Sequence, residues 1–174
     1  MIEDKFLEFL QTSNSIQQQI SISALGSIAR LAKYDTLRSV MLDHHFLNDI
    51  RDRLDSSDED VRLVSLDVVD AFAKYDDSYT RLIEIGIVDP LQKMCNDTSW
   101  QTRQRSLEVV AGCAKHEVIR SEMLESHFLE DLRDRLTDSD WDVRRASMKA
   151  ITVLAEHDAG QNEMLQVGVL DSLQ

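Results

Sequence analysis

Residues 45–54 read HFLNDIRDRL, and the segment returns 82 residues later as HFLEDLRDRL at residues 127–136. Midway between these two copies lies GIVDPLQKMC, residues 86–95, a divergent segment in the same phase. A near-duplication with a third copy halfway between its members indicates a tandem array with a period of 41 residues. The array, rather than any single motif, decides the fold.

When the chain is aligned with itself at the 41-residue offset, apolar residues fall into register. Four columns are the clearest: Leu25, Leu66, Leu107 and Met148; Ile28, Val69, Val110 and Ile151; Leu31, Phe72, Cys113 and Leu154; and Ala32, Ala73, Ala114 and Ala155. Spacings of three and four residues within a unit place these columns on one helical face. We therefore predict a solenoid, in which each unit buries its apolar face against its neighbours.

Each unit is predicted to contain one long helix, which runs roughly over residues 17–34, 58–75, 99–116 and 140–157. Capping motifs mark the starts of three of these helices: Ser57-x-x-Asp60, Thr98-x-x-Gln101 and Ser139-x-x-Asp142. A short helix should follow, with one apolar pair buried in each unit: Met41-Leu42, Leu82-Ile83, Met123-Leu124 and Met164-Leu165.

A second short helix completes the unit, after a break position that suits glycine. The break residues are His45, Gly86, His127 and Gly168. The core positions of the second short helix are Leu47, Val88, Leu129 and Leu170, then Ile50, Leu91, Leu132 and Leu173, with Phe6 and Phe9 in the same columns near the N-terminus. Pro90 lies near the start of its helix, where a missing N–H costs little.

These patterns predict an all-α fold, a right-handed α-α superhelix of about three full repeats with a partial repeat at each end. Residues 1–174 form a single repeat domain, divided approximately into units 1–35, 36–76, 77–117, 118–158 and 159–174. Both terminal units are incomplete and no polar capping repeat is visible at the C-terminus. We therefore expect the sequence to be a fragment of a longer array.

The three-helix unit, the Gly-type break and the segment IEIGIVDPLQKM, residues 83–94, resemble the armadillo repeat. The runs SDEDVR (57–62) and SDWDVR (139–144) resemble the Asp-x-x-Val-Arg signature of the related HEAT repeat. The resemblance covers essentially the whole chain, and it is specific for fold rather than for function. It implies that Arg62, Arg103 and Arg144 contribute to an inter-repeat ladder, with Asp60 and Asp142 as candidate partners.

Armadillo proteins of the nuclear-import class bind extended peptides through Trp and Asn ladders on the concave surface of the long helices. In this register the Trp column holds Gly26, Asp67, Glu108 and Lys149, and the Asn column holds Arg30, Ala71, Gly112 and Val153. Both ladders are absent. Recognition of a basic peptide by that mechanism is therefore not expected.

The concave face is nevertheless predicted to be charged. It carries Asp67, Asp70 and Glu108, with Lys33, Lys74 and Lys115 one turn further on and Lys149 in the column of Asp67 and Glu108. One interpretation is an acidic groove with a basic rim, which would bind a partner bearing Lys or Arg. The alternative is the solvated polar face of ordinary helices, in which Asp70 and Lys74 form an i,i+4 pair.

Trp100 and Trp141 share one column near the starts of consecutive long helices. Exposed Trp is a favoured anchor at protein interfaces, so the two indoles form a second candidate binding surface. The alternative is that each indole covers its own inter-repeat loop.

No catalytic, metal-binding or cofactor-binding site is predicted. His45 and His127 lie two repeats apart, too far to share one ion. The sequence contains no Gly-rich phosphate loop, His-Glu metal motif or Gly-x-Ser-x-Gly elbow. Cys95 and Cys113 occupy apolar columns and are interpreted as core fillers in a reducing compartment.

The formal net charge of −13 disfavours binding to nucleic acid or to an anionic membrane. We predict a noncatalytic scaffold or adaptor that binds a protein or peptide, with a basic partner permitted, on the concave surface of the long helices. The alternative is a structural or regulatory spacer in a larger multi-repeat protein, such as a phosphatase scaffold or a chaperone cofactor. Homodimerisation through uncapped repeat ends is a further hypothesis. The expected location is the cytoplasm, with the nucleus as the alternative.

Overall fold

The structure is a computed structural model that describes residue 19, residues 21–43 and residues 46–169. Within these ranges the chain forms eleven helices and no strand. They are α1 (21–31), α2 (Asp35–Asp43), α3 (Phe46–Arg53), α4 (Glu59–Phe72), α5 (Asp76–Glu84), α6 (Val88–Cys95), α7 (Trp100–Cys113), α8 (Glu117–Glu125), α9 (Phe128–Arg135), α10 (Trp141–Ala155) and α11 (Asp158–Gln166).

The helices recur in the order long, short, short, and each class forms its own row. The long helices α4, α7 and α10 pack side by side in succession. The first short helices α2, α5, α8 and α11 form a second row, and α6 packs against α9 in a third. Each unit thus contacts the units before and after it, as the periodicity predicts for a solenoid.

The core positions predicted for the second short helix are confirmed wherever the structure describes them. Leu47, Ile50, Val88, Leu91, Leu129 and Leu132 are all buried. Phe6, Phe9, Leu170 and Leu173 lie outside the described residues. Pro90 is the third residue of α6, close to the start of the helix as predicted.

Three apolar predictions are wrong, and all three concern the outer units. Leu31 and Met148 are each 38% exposed, and Leu165 is 68% exposed. Met148 lies in the column of the buried Leu66 and Leu107. The difference arises because α7 packs against α4 and α10 packs against α7, whereas no described helix packs against the far side of α10.

One core column was not anticipated. The residue after each break is apolar in every unit: Phe46, Ile87, Phe128 and Val169. The last three of these side chains are fully buried. The repetition of apolar residues in this column was the available signal, and the left-handed break explains it, because it turns the residue that follows it toward the core.

Each long helix is capped one residue later than the predicted capping motifs place it. The N-cap residues are Asp58, Ser99 and Asp140. Oδ1 of Asp58 accepts hydrogen bonds from the N–H groups of Asp60 and Val61, at 2.7 and 3.2 Å. A carboxylate at this position both caps the free N–H groups and is favoured by the helix dipole, which explains the use of Asp.

The long helices also end earlier than predicted, because the last residue predicted for each of them lies instead at the start of the next helix. Tyr75, His116 and His157 have extended backbone conformations and are the N-cap residues of α5, α8 and α11. The guanidinium groups of Arg38 and Arg120 donate hydrogen bonds to the carbonyl oxygens of Ala32 and Ala114. These bonds satisfy carbonyl groups that the end of a helix leaves without partners.

A polar ladder joins consecutive units. Arg62 pairs with Asp97 at 3.0 Å, and Arg103 pairs with Asp138 at 2.9 Å. Each ion pair connects a long helix to the loop that precedes the next long helix. The structural role predicted for this column is therefore confirmed at Arg62 and Arg103, but the predicted partners, Asp60 and Asp142, are wrong. All three arginines also donate to the backbone just before their own helix, at the carbonyl groups of Ser56, Asp97 and Asp138.

The predicted break positions are confirmed at three units. Gly86, His127 and Gly168 have positive φ angles of 64°, 56° and 68°. The fourth, His45, lies outside the described residues. His127 is the only non-glycine residue with positive φ in the described part of the chain. One repeat thus holds an L side chain in a conformation that favours glycine.

We expect reciprocal effects from substituting the break residues. A Cβ added at Gly86 would have no atom within 4 Å. Gly86→Ala should therefore lower the free energy of unfolding only by the cost of the left-handed backbone conformation, about 1–2 kcal/mol. His127→Gly should raise the free energy of unfolding by up to about 1 kcal/mol. It relieves the backbone strain at residue 127, but the greater entropy of glycine in the unfolded chain offsets part of that gain. Urea unfolding measures both changes. Gly86→Asn is the control and should lose less than Gly86→Ala, because Asn tolerates this region; equal losses would contradict the prediction.

Candidate functional site

A cleft of about 650 Å³ crosses the surface formed by α4, α7 and α10. We name this surface the long-helix face. Five of the seven charged residues predicted for the concave surface line the cleft: Asp70, Lys74, Glu108, Lys115 and Lys149. The solenoid thus brings together side chains from three successive units, although the sequence separates the first and last of them by 79 residues.

Arg105, which the repeat columns did not single out, lies at the centre of the acidic residues. Its Nε is 2.7 Å from Oδ1 of Asp67, and its terminal nitrogens are 3.0 Å from Oδ2 of Asp70 and 3.3 Å from Oε2 of Glu108. All three carboxylates predicted for an open acidic groove are therefore already paired with one guanidinium group. The groove is an internal ion-pair cluster rather than a row of free acids.

The charges of this cluster reinforce one another. Burial alone would raise the pKa of Asp70, but hydrogen bonds from Lys74 and Arg105 outweigh it and hold that pKa below its usual value. Burial alone would lower the pKa of Arg105, but the hydrogen bonds to Asp67 and Asp70 raise it. Both groups therefore remain charged around neutral pH.

The other side of the cleft is basic and partly aromatic. The rings of Tyr79 and His116 stack with an interplanar angle of 27°, and both residues line the cleft. Burial lowers the pKa of His116, so the imidazole is neutral around pH 7. Lys115 and Lys149 line the cleft and are exposed. Neither makes an ion pair with any described residue.

Small residues line the cleft between these two sides. Ala73, Ala111 and Gly112 are among its lining residues. A Cβ added at Gly112 would lie 3.6 Å from Oδ1 of Asp70, an ordinary contact distance. Ala73 and Ala111 are buried, whereas Gly112 is half-buried, so of these three residues Gly112 leaves part of the α7 backbone accessible to a partner.

Lys33 and Asp67 do not line the cleft. Lys33 is exposed after α1, and its ammonium nitrogen lies 4.9 Å from the centre of the Tyr34 ring. Asp67 is connected to the cleft only through Arg105. The predicted basic rim is therefore represented in the cleft by Lys74 and Lys115, with Lys149 added from the next unit.

The two tryptophans are exposed but lie in different surroundings. Trp100 and Trp141 are the first residues of α7 and α10 and are 41% and 66% exposed. Trp141 lines a second, mainly apolar cleft of about 480 Å³ with Leu136 and Met148. Trp100 does not line it. We name this second cleft, on the uncovered side of α10, the outer cleft.

Reactive groups are sparse in the described residues. Cys95 and Cys113 are free and fully buried, and burial raises the pKa of each thiol to about 12. Such thiols are poor nucleophiles at neutral pH. No cluster of three or more His, Cys, Asp or Glu suited to a metal ion occurs in the described ranges. None of the helices described there has the length and hydrophobicity needed to span a bilayer.

Comparisons with known proteins agree with this architecture. The HEAT repeat family matches residues 128–158. No curated protein matches the sequence at a significant level. Among solved structures, a designed armadillo repeat protein superposes with a TM-score of 0.79 at 22% identity, over 90% of this chain and 67% of the designed chain.

Two further structures show the same likeness. One, of computationally designed armadillo repeat proteins for modular peptide recognition, has a TM-score of 0.78 at 22% identity, over 95% of this chain and 71% of the other. The second is a designed armadillo repeat protein in complex with the peptide (KR)4. Its TM-score is 0.73 at 19% identity, over 92% of this chain and 77% of the other.

At these identities the likeness is one of fold, and it agrees with the repeating long, short, short helices and with the HEAT match in the fourth unit. The chain accordingly has an all-α solenoid fold of the armadillo/HEAT-like helical repeat type.

Proposed function

We propose that the long-helix face is a noncatalytic docking surface for a protein or peptide, and that the cleft between Arg105 and Lys149 is its centre. The observation that carries the proposal is that one cleft collects charged and aromatic side chains from three consecutive units. On this proposal the chain acts as an adaptor or scaffold in the cytoplasm, with the nucleus as the alternative.

The dimensions of the cleft support this use. Its volume of about 650 Å³ falls within the range of sites that bind small ligands or individual side chains. Eight of the twelve lining residues stand on helices, six of them on long helices, and helices hold side chains more rigidly than loops would. Related folds have been designed for modular peptide recognition, and one of them is in complex with (KR)4.

A second candidate function, the structural spacer, is favoured by the outer cleft. Met148 and Thr152 are exposed on α10, whereas Leu107 and Ala111, one unit earlier in the same columns, are buried. The face of α10 that carries them has the register of a face that receives the next long helix. Association through this face would bury Trp141 and Met148, and light scattering over a range of concentrations would detect self-association.

We expect Gly112→Phe to weaken peptide binding at the cleft without unfolding the protein. Peptides are first selected from a random library on the immobilised wild-type chain. Their affinity is then measured by fluorescence anisotropy. A ring at residue 112 occupies the cleft beside Asp70, so we expect a loss of at least about tenfold in affinity, equivalent to about 1.4 kcal/mol.

Gly112→Ala is the matched control. It adds one methyl group at a permitted distance, and Ala is a better helix former than Gly. We expect wild-type affinity and a melting temperature equal to or above that of the wild type. If every selected peptide binds Gly112→Phe as tightly as it binds the wild type, the cleft is not the docking site.

A further inference from the structure

The charges in the cleft are unevenly paired. Its lining cations are Lys74, Arg105, Lys115 and Lys149, and its lining carboxylates are Asp70, Asp76 and Glu108. Lys74 and Arg105 both bind Asp70, and Arg105 also binds Glu108. Of these seven groups, Lys115, Lys149 and Asp76 have no ion-pair partner among the residues that the structure describes. The groups left for a ligand are therefore two ammonium groups and one carboxylate.

A basic ligand would have to compete with Arg105. To reach Asp70 or Glu108, an incoming Lys or Arg must displace a guanidinium group that already binds three carboxylates. Charge-assisted hydrogen bonds of this kind are among the stronger polar contacts in proteins. The ligand would replace existing bonds rather than add new ones, so basic side chains gain little at this position.

An acidic ligand meets no such competitor. Lys115 and Lys149 are exposed and unpaired among the described residues. At the imidazole of His116, the carboxylate of Asp76 raises the pKa, whereas Lys115 and Arg120 lower it, so two cations and one carboxylate act on this side of the cleft. Arg120 is 8% exposed and donates only to the carbonyl oxygens of Ala114 and Lys115. No described carboxylate forms an ion pair with this guanidinium group.

The rest of the molecule limits how acidic that ligand can be. The net charge of −13 repels a polyanion at long range. A peptide with one or two carboxylates experiences mainly the local field, because salt screens the distant charges. The stacked rings of Tyr79 and His116 and the half-buried Gly112 offer the remainder of the peptide an uncharged surface.

We infer that the cleft selects peptides that present one or two Asp or Glu carboxylates to Lys115 and Lys149. This inference rests on the proposed function, because it specifies the partner of the same cleft. It reverses the basic preference that the acidic columns of the sequence indicate. The reason is that Arg105 already occupies the position that a basic partner would take.

The test uses the peptides selected from the random library. We expect them to be enriched in Asp and Glu. Lys115→Glu combined with Lys149→Glu should weaken their binding at least about tenfold. The matched control is Arg51→Glu combined with Lys93→Glu, which changes the net charge equally on α3 and α6, away from the cleft. The control should retain wild-type affinity, and circular dichroism verifies that both variants are folded.

The peptide provides a second measurement. Replacing its Asp or Glu by Asn or Gln should weaken binding to the wild type, but should have little effect on binding to the double lysine variant. Enrichment of Lys and Arg, or no response to reversal of Lys115 and Lys149, would overturn the inference. If Gly112→Phe nevertheless weakened the binding of the selected peptides, the inference would fail but the proposed docking function would stand. If no selected peptide depended on the cleft, both would be refuted.

Discussion

Asp138→Ala is expected to destabilise the protein by about 3–5 kcal/mol, because it leaves a buried arginine without its carboxylate. The Asp138 side chain is 3% exposed, and its two oxygens each lie 2.9 Å from a nitrogen of Arg103. Arg135 and the N–H of Asp140 also donate to it. The substitution therefore removes four hydrogen bonds at the junction of two units. Urea denaturation of the variant and the wild type gives the difference in free energy of unfolding.

Two controls separate this effect from a general sensitivity to charge loss. Asp134→Ala removes a carboxylate from an exposed pair with Arg133 and should cost less than about 1 kcal/mol. Replacing Arg103 and Asp138 together by Leu should cost less than Asp138→Ala alone, because no buried charge is left unpaired. A double variant that is less stable than Asp138→Ala would contradict this explanation.

The same carboxylate predicts how stability depends on pH. Burial alone would raise the pKa of Asp138, but the hydrogen bonds from Arg103 and from the N–H of Asp140 hold it below its usual value. A group whose pKa is lower in the folded state stabilises the protein above its unfolded pKa, and that contribution is lost as the pH falls below about 4. The wild type should therefore lose more stability than Asp138→Ala between about pH 5 and pH 2. Parallel curves would exclude this role.

Phe128→Ala is expected to cost about 3–5 kcal/mol, since it empties a fully buried aromatic site. Phe128 is the first residue of α9 and follows the left-handed His127. Its equivalents Ile87 and Val169 are also buried. Thermal and urea unfolding should both show the loss, with cooperativity retained.

Phe128→Ile is the matched variant, because isoleucine occupies the same column one unit earlier. We expect it to cost about 1–2 kcal/mol, less than half of the loss in Phe128→Ala. Phe46 is only partly buried, so Phe46→Ala should also cost less than Phe128→Ala. Equal losses at residues 46 and 128 would show that burial in this column does not determine its contribution.

The segment that is nearly duplicated at residues 45–54 and 127–136 was interpreted correctly as a structural unit. Leu47 and Ile50 point into the core, and Gly86 and His127 adopt the left-handed conformation expected of a break. Hydrophobic periodicity and glycine positions are local properties, so one sequence in register with itself is sufficient to find them. The cap residues were displaced by one position, because Ser57 and Asp58 are both good caps and only the backbone distinguishes them.

Part of the lining of the cleft was predicted, but its ion pairing was not. Asp70, Glu108, Lys115 and Lys149 do line one cleft, as their columns indicate. Arg105 was missed because its column also holds Val64 and Ala146, so no repetition draws attention to it. Its contact with Asp67 crosses 38 residues of sequence, a distance that helical spacing within a unit does not address.

The sequence by itself determined the repeat, the helical class of the fold and which face of the inner helices is buried. These features follow from the period of the apolar residues, which can be read from the sequence alone. The tertiary structure alone decided which charges meet: Arg103 with Asp138, and Arg105 with three carboxylates. The physical reason is that ion pairs between units depend on how far one helix is offset from the next. Packing sets that offset. The carboxylates that the sequence places in an acidic groove are therefore paired with Arg105, beside two lysines that have no ion-pair partner among the described residues.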